Sequence, residues 1–262
     1  MRHALGSTAL FLLACAASAS GQGIVDRIAA APDGTVRLTY AVRDGICGDG
    51  ESYIRDRSRG ENNYIGEWSG KNGWRQRPCD PGPGRVVISK VGGSITRVRV
   101  RVGGEWHNDG NRITDLGSFS GPATAKALIA LAVRERRAKE GIFGAIIADS
   151  AVVWPDLLAL AKNTEVRTDT RKDAVFWLSQ EAGDAATKGL SDLAGDEAEN
   201  RDVRDQAVFA LSQLPSDKGI PILIRLARSN RDPQVRRKAL FWLGQSDDPR
   251  ALALIEEILT KG

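Results

Sequence analysis

Ala174-Val175-Phe176-Trp177-Leu178-Ser179-Gln180, Ala207-Val208-Phe209-Ala210-Leu211-Ser212-Gln213 and Ala239-Leu240-Phe241-Trp242-Leu243-Gly244-Gln245 spell nearly the same heptapeptide three times, 33 and then 32 positions apart. Self-similarity at this period is the mark of stacked supersecondary units, each too small to bury its apolar face alone. The residues around the heptapeptides supply the punctuation. Asp232-Pro233 sets a capping acid before a proline at the first helical position, and Pro215 lies just past the end of another helix. A second helix in each unit is expected after Asp184, Asp217 and Asp248, with apolar runs such as Ile220 to Ala227 and Ala251 to Leu259. Each unit therefore reads as helix, turn, helix.

At 100° per residue, Val203, Ala207, Leu211 and Leu214 share the face that packs on the unit's own second helix. Phe209 falls nearly opposite, beside Gln213, and the same places are taken by Phe176 with Gln180 and by Phe241 with Gln245. These six residues form a ladder along the first helices and are the candidate partner-binding set. The plainer account is that Phe fills the gap between neighbouring units and Gln bonds a helix end. Trp177 and Trp242 are read as core. Arg204 and Arg236 are read as structural, paired with an acid near the turn of an adjacent unit, Asp202 or Asp232.

Val203-Arg204 and Val235-Arg236, each leading into Ala-Val/Leu-Phe, resemble HEAT repeats of the short type found in phycobilisome-lyase-like proteins. The Thr-Pro-Leu-His signature of ankyrin repeats of similar length is absent. The first unit departs from the pattern, with Thr170-Arg171 in place of Val-Arg. The resemblance covers residues 150 to 262, and reaches to 121 as an irregular helical cap. The whole chain also resembles exported bacterial HEAT-repeat proteins that pair a small β-rich region with such a solenoid. What the resemblance implies is a scaffold, with no lyase activity.

Before residue 121 the period is different. Val36, Leu38, Tyr40 and Val42 alternate along one strand face, and runs from Arg85 to Lys90 and from Ile95 to Val102 flank a Gly92-Gly93 hairpin turn. Residues 43 to 84 read as a long Gly-, Arg-, Asn- and Pro-rich loop holding some short strands. The net charge of +4 is mild, and its basic excess falls in this half. Arg97, Arg99 and Arg101 alternate with valines, so the three charges share one face. A solvated outer face accounts for them, and a strip for anionic glycan or lipid is the functional alternative.

Arg2 and His3 precede an apolar run from Ala4 to Ala14 and then small residues, the layout of a secretory signal. Ala17-Ser18-Ala19 suits cleavage before Ser20. A lipobox-like Leu12-Leu13-Ala14-Cys15 makes lipidation of Cys15 the alternative. Export would leave Cys47 and Cys79 as a pair in an oxidising compartment, expected to form a disulfide. Two reduced thiols, or a zinc site with further ligands, are the other readings. Nucleic acid does not suit an exported chain.

Catalytic signatures are missing. No His-Glu-x-x-His or Gly-x-Ser-x-Gly occurs, and in Gly117-Ser118-Phe119-Ser120-Gly121 a phenylalanine holds the nucleophile's place. His107 to Asn111 reads as a plain turn. The expected architecture is α+β in two parts: signal peptide 1–19, disulfide-tied β-rich domain 20–116 and HEAT-type α-solenoid 117–262. The expected role is a non-enzymatic scaffold or adaptor with a protein partner in the cell envelope, no cofactor and no metal.

Overall fold

The structure is a computed structural model, and it describes residues 20–51, 53–57, 64–65, 79–106, 110, 112–180 and 183–261. The signal segment, Cys15 and the turn at His107 lie outside the described residues. The chain divides into two compact units, one of residues 1–130 with 147–151, the other of 131–146 with 152–262.

The first unit is built on a four-stranded sheet of order β6-β5-β1-β7, with β1 Gly34–Tyr40, β5 Gly84–Val91, β6 Ser94–Val102 and β7 Ile113–Phe119. β1, β5 and β6 pair antiparallel, while β7 runs parallel to β1. The hairpin turn falls at Gly92-Gly93, both at positive φ. Their two amides donate to the carboxylate of Asp33, which those bonds hold below its usual pKa. β7 was not among the expected strands. Its apolar residues, Ile113, Leu116 and Phe119, do not alternate, because the register shifts opposite Arg37/Thr39 near Gly117 at φ 82°.

One face of the sheet is the core, where Val36, Leu38, Tyr40, Val86, Ile88, Val98, Val100 and Val102 are all buried. Glycine at 84 has a physical cause: it pairs with Tyr40, and a Cβ there would sit 2.6 Å from the tyrosine ring. A helix, α1 Gly21–Ala30, covers this face with Ile24, Val25 and Ile28. Lys90 rises from the same face and donates to the carbonyls of Ile28, Ala29 and Ala31 at 2.9, 2.8 and 2.6 Å. A buried ammonium thus satisfies the helix end and complements its dipole. The sequence reading had no helix here; ten residues abutting an apolar leader show too little period to stand out.

Within the long loop lie three short strands, β2 Ile46–Gly48, β3 Ile54–Asp56 and β4 Tyr64–Ile65, forming a second antiparallel sheet. The expected disulfide is present: Cys47 joins Cys79 across 32 positions, with Cα atoms 5.1 Å apart.

A helix α2, Gly121–Arg134, opens the helical part. The second unit then stacks helix pairs: α3 Glu140–Ile146 with α4 Trp154–Lys162, α5 Thr168–Ser179 with α6 Asp184–Gly195, α7 Arg201–Ser212 with α8 Ser216–Ser229, and α9 Pro233–Gly244 with α10 Pro249–Lys261. First helices pack on first helices and second on second, as a solenoid requires. The predicted seam is correct: Val203, Ala207, Leu211 and Leu214 are buried. Asn200 and Asp232 cap α7 and α9 through bonds from Asp202 N and Gln234 N, at 2.9 and 2.7 Å. Glycine at 219 lets α8 approach α7 closely, since a Cβ there would lie 2.3 Å from the Leu211 carbonyl. Where the sequence reading had three units behind an irregular cap, α3 and α4 make a shorter fourth.

Candidate functional site

Phe143, Phe176, Phe209 and Phe241 recur 33, 33 and 32 positions apart, so α3 carries the ladder's first rung. That rung was missed because glycines at 141 and 144 replace the alanine and tryptophan of the repeat. Phe143 packs on Trp177 of the next first helix at 5.6 Å between ring centroids, and Phe209 packs on Trp242 at 5.1 Å. Phe therefore does bridge consecutive units. The exception is instructive: the third unit has Ala210 where its neighbours have tryptophan, so no indole lies ahead of Phe176, which is 37% exposed. Phe241 is 55% exposed and contacts only its neighbour Trp242 among the described rings. Trp177 and Trp242 are half-buried rather than enclosed, since each lies at the outer edge of a joint.

The glutamines sit at the C-terminal ends of the first helices. Ser179 Oγ and Ser212 Oγ donate to the carbonyls of Phe176 and Phe209 at 2.6 and 2.7 Å, and Gln180 Nε2 and Gln213 Nε2 donate in turn to those serines. This relay satisfies carbonyls left over at a helix end. In the last unit Gly244 replaces the serine, so Gln245 has no such relay.

Gln213 and Gln245 also face a recess of about 250 Å³ between consecutive units, floored by Leu211, Leu214 and Leu223 and walled by Trp242. The indole Nε1 of Trp242 is buried there without a hydrogen-bond partner among the described residues.

The arginines form a structural ladder, as expected, and it begins one rung earlier. Arg171, Arg204 and Arg236 are equivalent positions. Arg171 is buried with Glu199, in the turn before α7, and donates to the Ala161 carbonyl at 2.7 Å. Arg204 pairs with Asp232, in the turn before α9, at 2.7 Å. Asp232 thereby both caps α9 and receives Arg204; the Gln234 N–H, then Arg204, hold its carboxyl below the usual range. Arg236 has no acid from a following turn and bonds instead to the carbonyls of Asn230 and Arg231 at 2.7 and 2.9 Å.

In the first unit, strand register sets the other candidate residues. Across the sheet, Arg101 stands opposite Arg85, Arg99 opposite Val87 and then Arg37, and Arg97 opposite Ser89 and then Thr35. All of these share the face turned away from α1. Five arginines thus occupy one sheet face, where sequence reading had found three. Trp106 lies among them, with the guanidinium carbons of Arg37 and Arg85 at 4.9 and 5.0 Å from its ring. Arg37 also bonds Asp115 at 2.8 Å. Arg85 is only 2% exposed and donates to the Gly50 carbonyl at 3.0 Å. Burial first, and then the repulsion of Arg101, push its pKa down. Among the described residues, Arg97, Arg99 and Arg101 have no acidic partner.

Among the described residues, no group of three or more His, Cys, Asp or Glu side chains is placed to hold a metal, and no helix is long and apolar enough to cross a membrane. No curated protein matches the chain. Residues 187–262, from within α6 through α10, match the family model for HEAT repeats, and the stacked helix pairs are HEAT-like.

Proposed function

We propose that the chain is an exported, non-enzymatic scaffold that captures a protein partner along the first-helix edge of its solenoid. HEAT repeats generally act as protein-interaction scaffolds. The observation that carries the reading is that the first helices carry two exposed phenylalanines, Phe176 and Phe241, and a recess rimmed by Gln213, Gln245 and Trp242. Aromatic anchors beside amide groups on a rigid stack are the composition of a binding hot spot. The repeats are of the short type, and the leader with its following small residues supports an envelope location. The reading is tested by pull-down from native envelope extract with wild type and with Phe176→Ala/Phe241→Ala. Both side chains are exposed enough for the variant to keep its helical circular dichroism. Specific capture by wild type and its loss in the folded variant is the expected result. Equal capture by both excludes this edge, and no capture by either turns the search toward the arginine face.

A further inference from the structure

We propose that the open face of the four-stranded sheet is a binding site for a phosphate group, independent of any role of the solenoid. The case rests on the shape of the arginine cluster. Arg97, Arg99 and Arg101 rise in a row from β6, and Arg37 rises from β1, two strands away. Strands are about 4.8 Å apart, so the two sides stand about 10 Å apart at the backbone. On the strand between them, β5, Val87 and Ser89 lie opposite Arg99 and Arg97, and the buried Arg85 lies opposite Arg101. Small residues between long ones leave a trough, and the trough measures about 190 Å³, lined by the four arginines with Thr35, Val87, Ser89, Trp106 and Ile113.

Charge and donors both point to an anion. Among the described residues, the carboxylates tied to this face are Asp115, already bonded to Arg37, and Asp80, whose field reaches Arg85. Asp80 is itself occupied by the amides of Gly82 and Gly104, at 2.8 Å each. The row on β6 is therefore left with an excess of positive charge, and the Nε of Arg101 is buried without a hydrogen-bond partner among the described residues. Like charges held this close raise one another's free energy until an anion enters. Trp106 stacks on Arg37 and Arg85, which holds those two side chains in place before binding.

The number of donors selects the class of anion. Each guanidinium offers five N–H groups in a planar fork, and four such forks exceed what the two oxygens of one carboxylate accept. A tetrahedral phosphate, with three or four charged oxygens, matches forks arriving from two sides. A volume near 190 Å³ accommodates a phosphate or diphosphate. The phosphate has two possible sources, a soluble phosphorylated compound or a phosphomonoester lipid headgroup.

Isothermal titration of the mature chain with inorganic phosphate and pyrophosphate at low ionic strength tests the site. Flotation with phosphatidylcholine vesicles, with and without phosphatidic acid, separates the sources. Wild type is expected to bind pyrophosphate, with affinity falling at least about tenfold in Arg97→Gln/Arg99→Gln, where two charge-assisted contacts are lost. Arg237→Gln, an exposed change on α9, should bind as wild type. Arg99→Lys keeps the charge and loses the fork, so weakening of about threefold or more is expected there as well. Vesicle binding that inorganic phosphate competes away assigns a headgroup, and soluble binding without vesicle binding assigns a free compound. Absence of phosphate binding in both formats, or equal affinity in the folded double variant and wild type, overturns the proposal. Should the double variant lose its far-ultraviolet spectrum, Arg99→Lys decides the matter by the same criterion.

Discussion

The β unit and the solenoid solve the same problem, burying enough apolar surface, in opposite ways. In the β unit the contacts that matter lie far apart in sequence: β1 pairs with β5 and β7, Cys47 joins Cys79, and Lys90 reaches back to α1. In the solenoid each helix meets the same kind of neighbour at every step, and polar bonds such as Arg204 to Asp232 recur with the repeat. The difference teaches where each is vulnerable. A cross-linked, non-local unit depends on a few singular residues, whereas a repeat array spreads stability over near-equivalent joints. What distinguishes one joint from another is then the depth at which its polar pair lies.

Four measurements would break or sharpen that contrast. The largest effect is expected at Arg171. Its side chain and that of Glu199 are 4% and 5% exposed, so Arg171→Ala leaves a carboxylate buried without its partner. Such losses cost about 3–5 kcal/mol, and urea unfolding of the helical signal would register it. Arg204→Ala should cost less, and Arg236→Ala, whose partners are carbonyls, about 1 kcal/mol. Equal costs at all three positions would remove depth as the distinguishing feature.

Next comes the disulfide. Replacing Cys47 and Cys79 by serine opens a closed loop of about 30 residues and should remove about 3–4 kcal/mol. Hydrogen exchange should show the loss in β1, β5 and β6 and leave α5 to α10 unchanged. Loss of protection in the helices as well would mean that the two units do not unfold independently.

A smaller effect is expected from Phe209→Ala. It removes a half-buried ring packed on Trp242 and should cost about 2 kcal/mol, against about 1 kcal/mol or less for Phe176→Ala, whose more exposed ring meets Trp177 of its own helix but no indole of the following unit. Thermal unfolding of the two variants side by side gives the comparison, and a larger loss at Phe176 would reverse it.

The smallest effect is acid sensitivity. Bonds from the Arg250 side chain, and then from its backbone N–H, lower the Asp248 pKa to about 2. Because the folded value lies below the unfolded one, this contribution is present above about pH 4 and is lost as pH falls toward 2. Asp248→Asn should therefore show a smaller drop in melting temperature than wild type between those two pH values. An identical drop would place the acid sensitivity at other carboxylates.

The features legible in the sequence are those that repeat or alternate. The three heptapeptides located α5, α7 and α9, the Asp232-Pro233 pair located the start of α9, and the Gly92-Gly93 turn located the hairpin. The fourth unit escaped because its seven-residue helix keeps only phenylalanine from the pattern. β7 escaped because a register shift at a glycine breaks its alternation.

The candidate sites divide in the same way. The Phe and Gln ladders were visible as rungs, but the exposure of Phe176 follows from Ala210, where the next unit fails to supply an indole. For the arginine face, the three residues of β6 were visible together. Arg37, Arg85 and Trp106 join them only because β5 and β1 pair in one register, and a slip of one residue would send Arg37 and Arg85 to the opposite face.

Period and local punctuation alone were enough to establish the solenoid, its seam and its first-helix ladder, because helices and repeat joints are short-range in the chain. The parallel β7, the burial of Arg171 with Glu199 and the phosphate-sized trough came only with the tertiary structure. They depend on register and on depth, and neither is a property of any one segment.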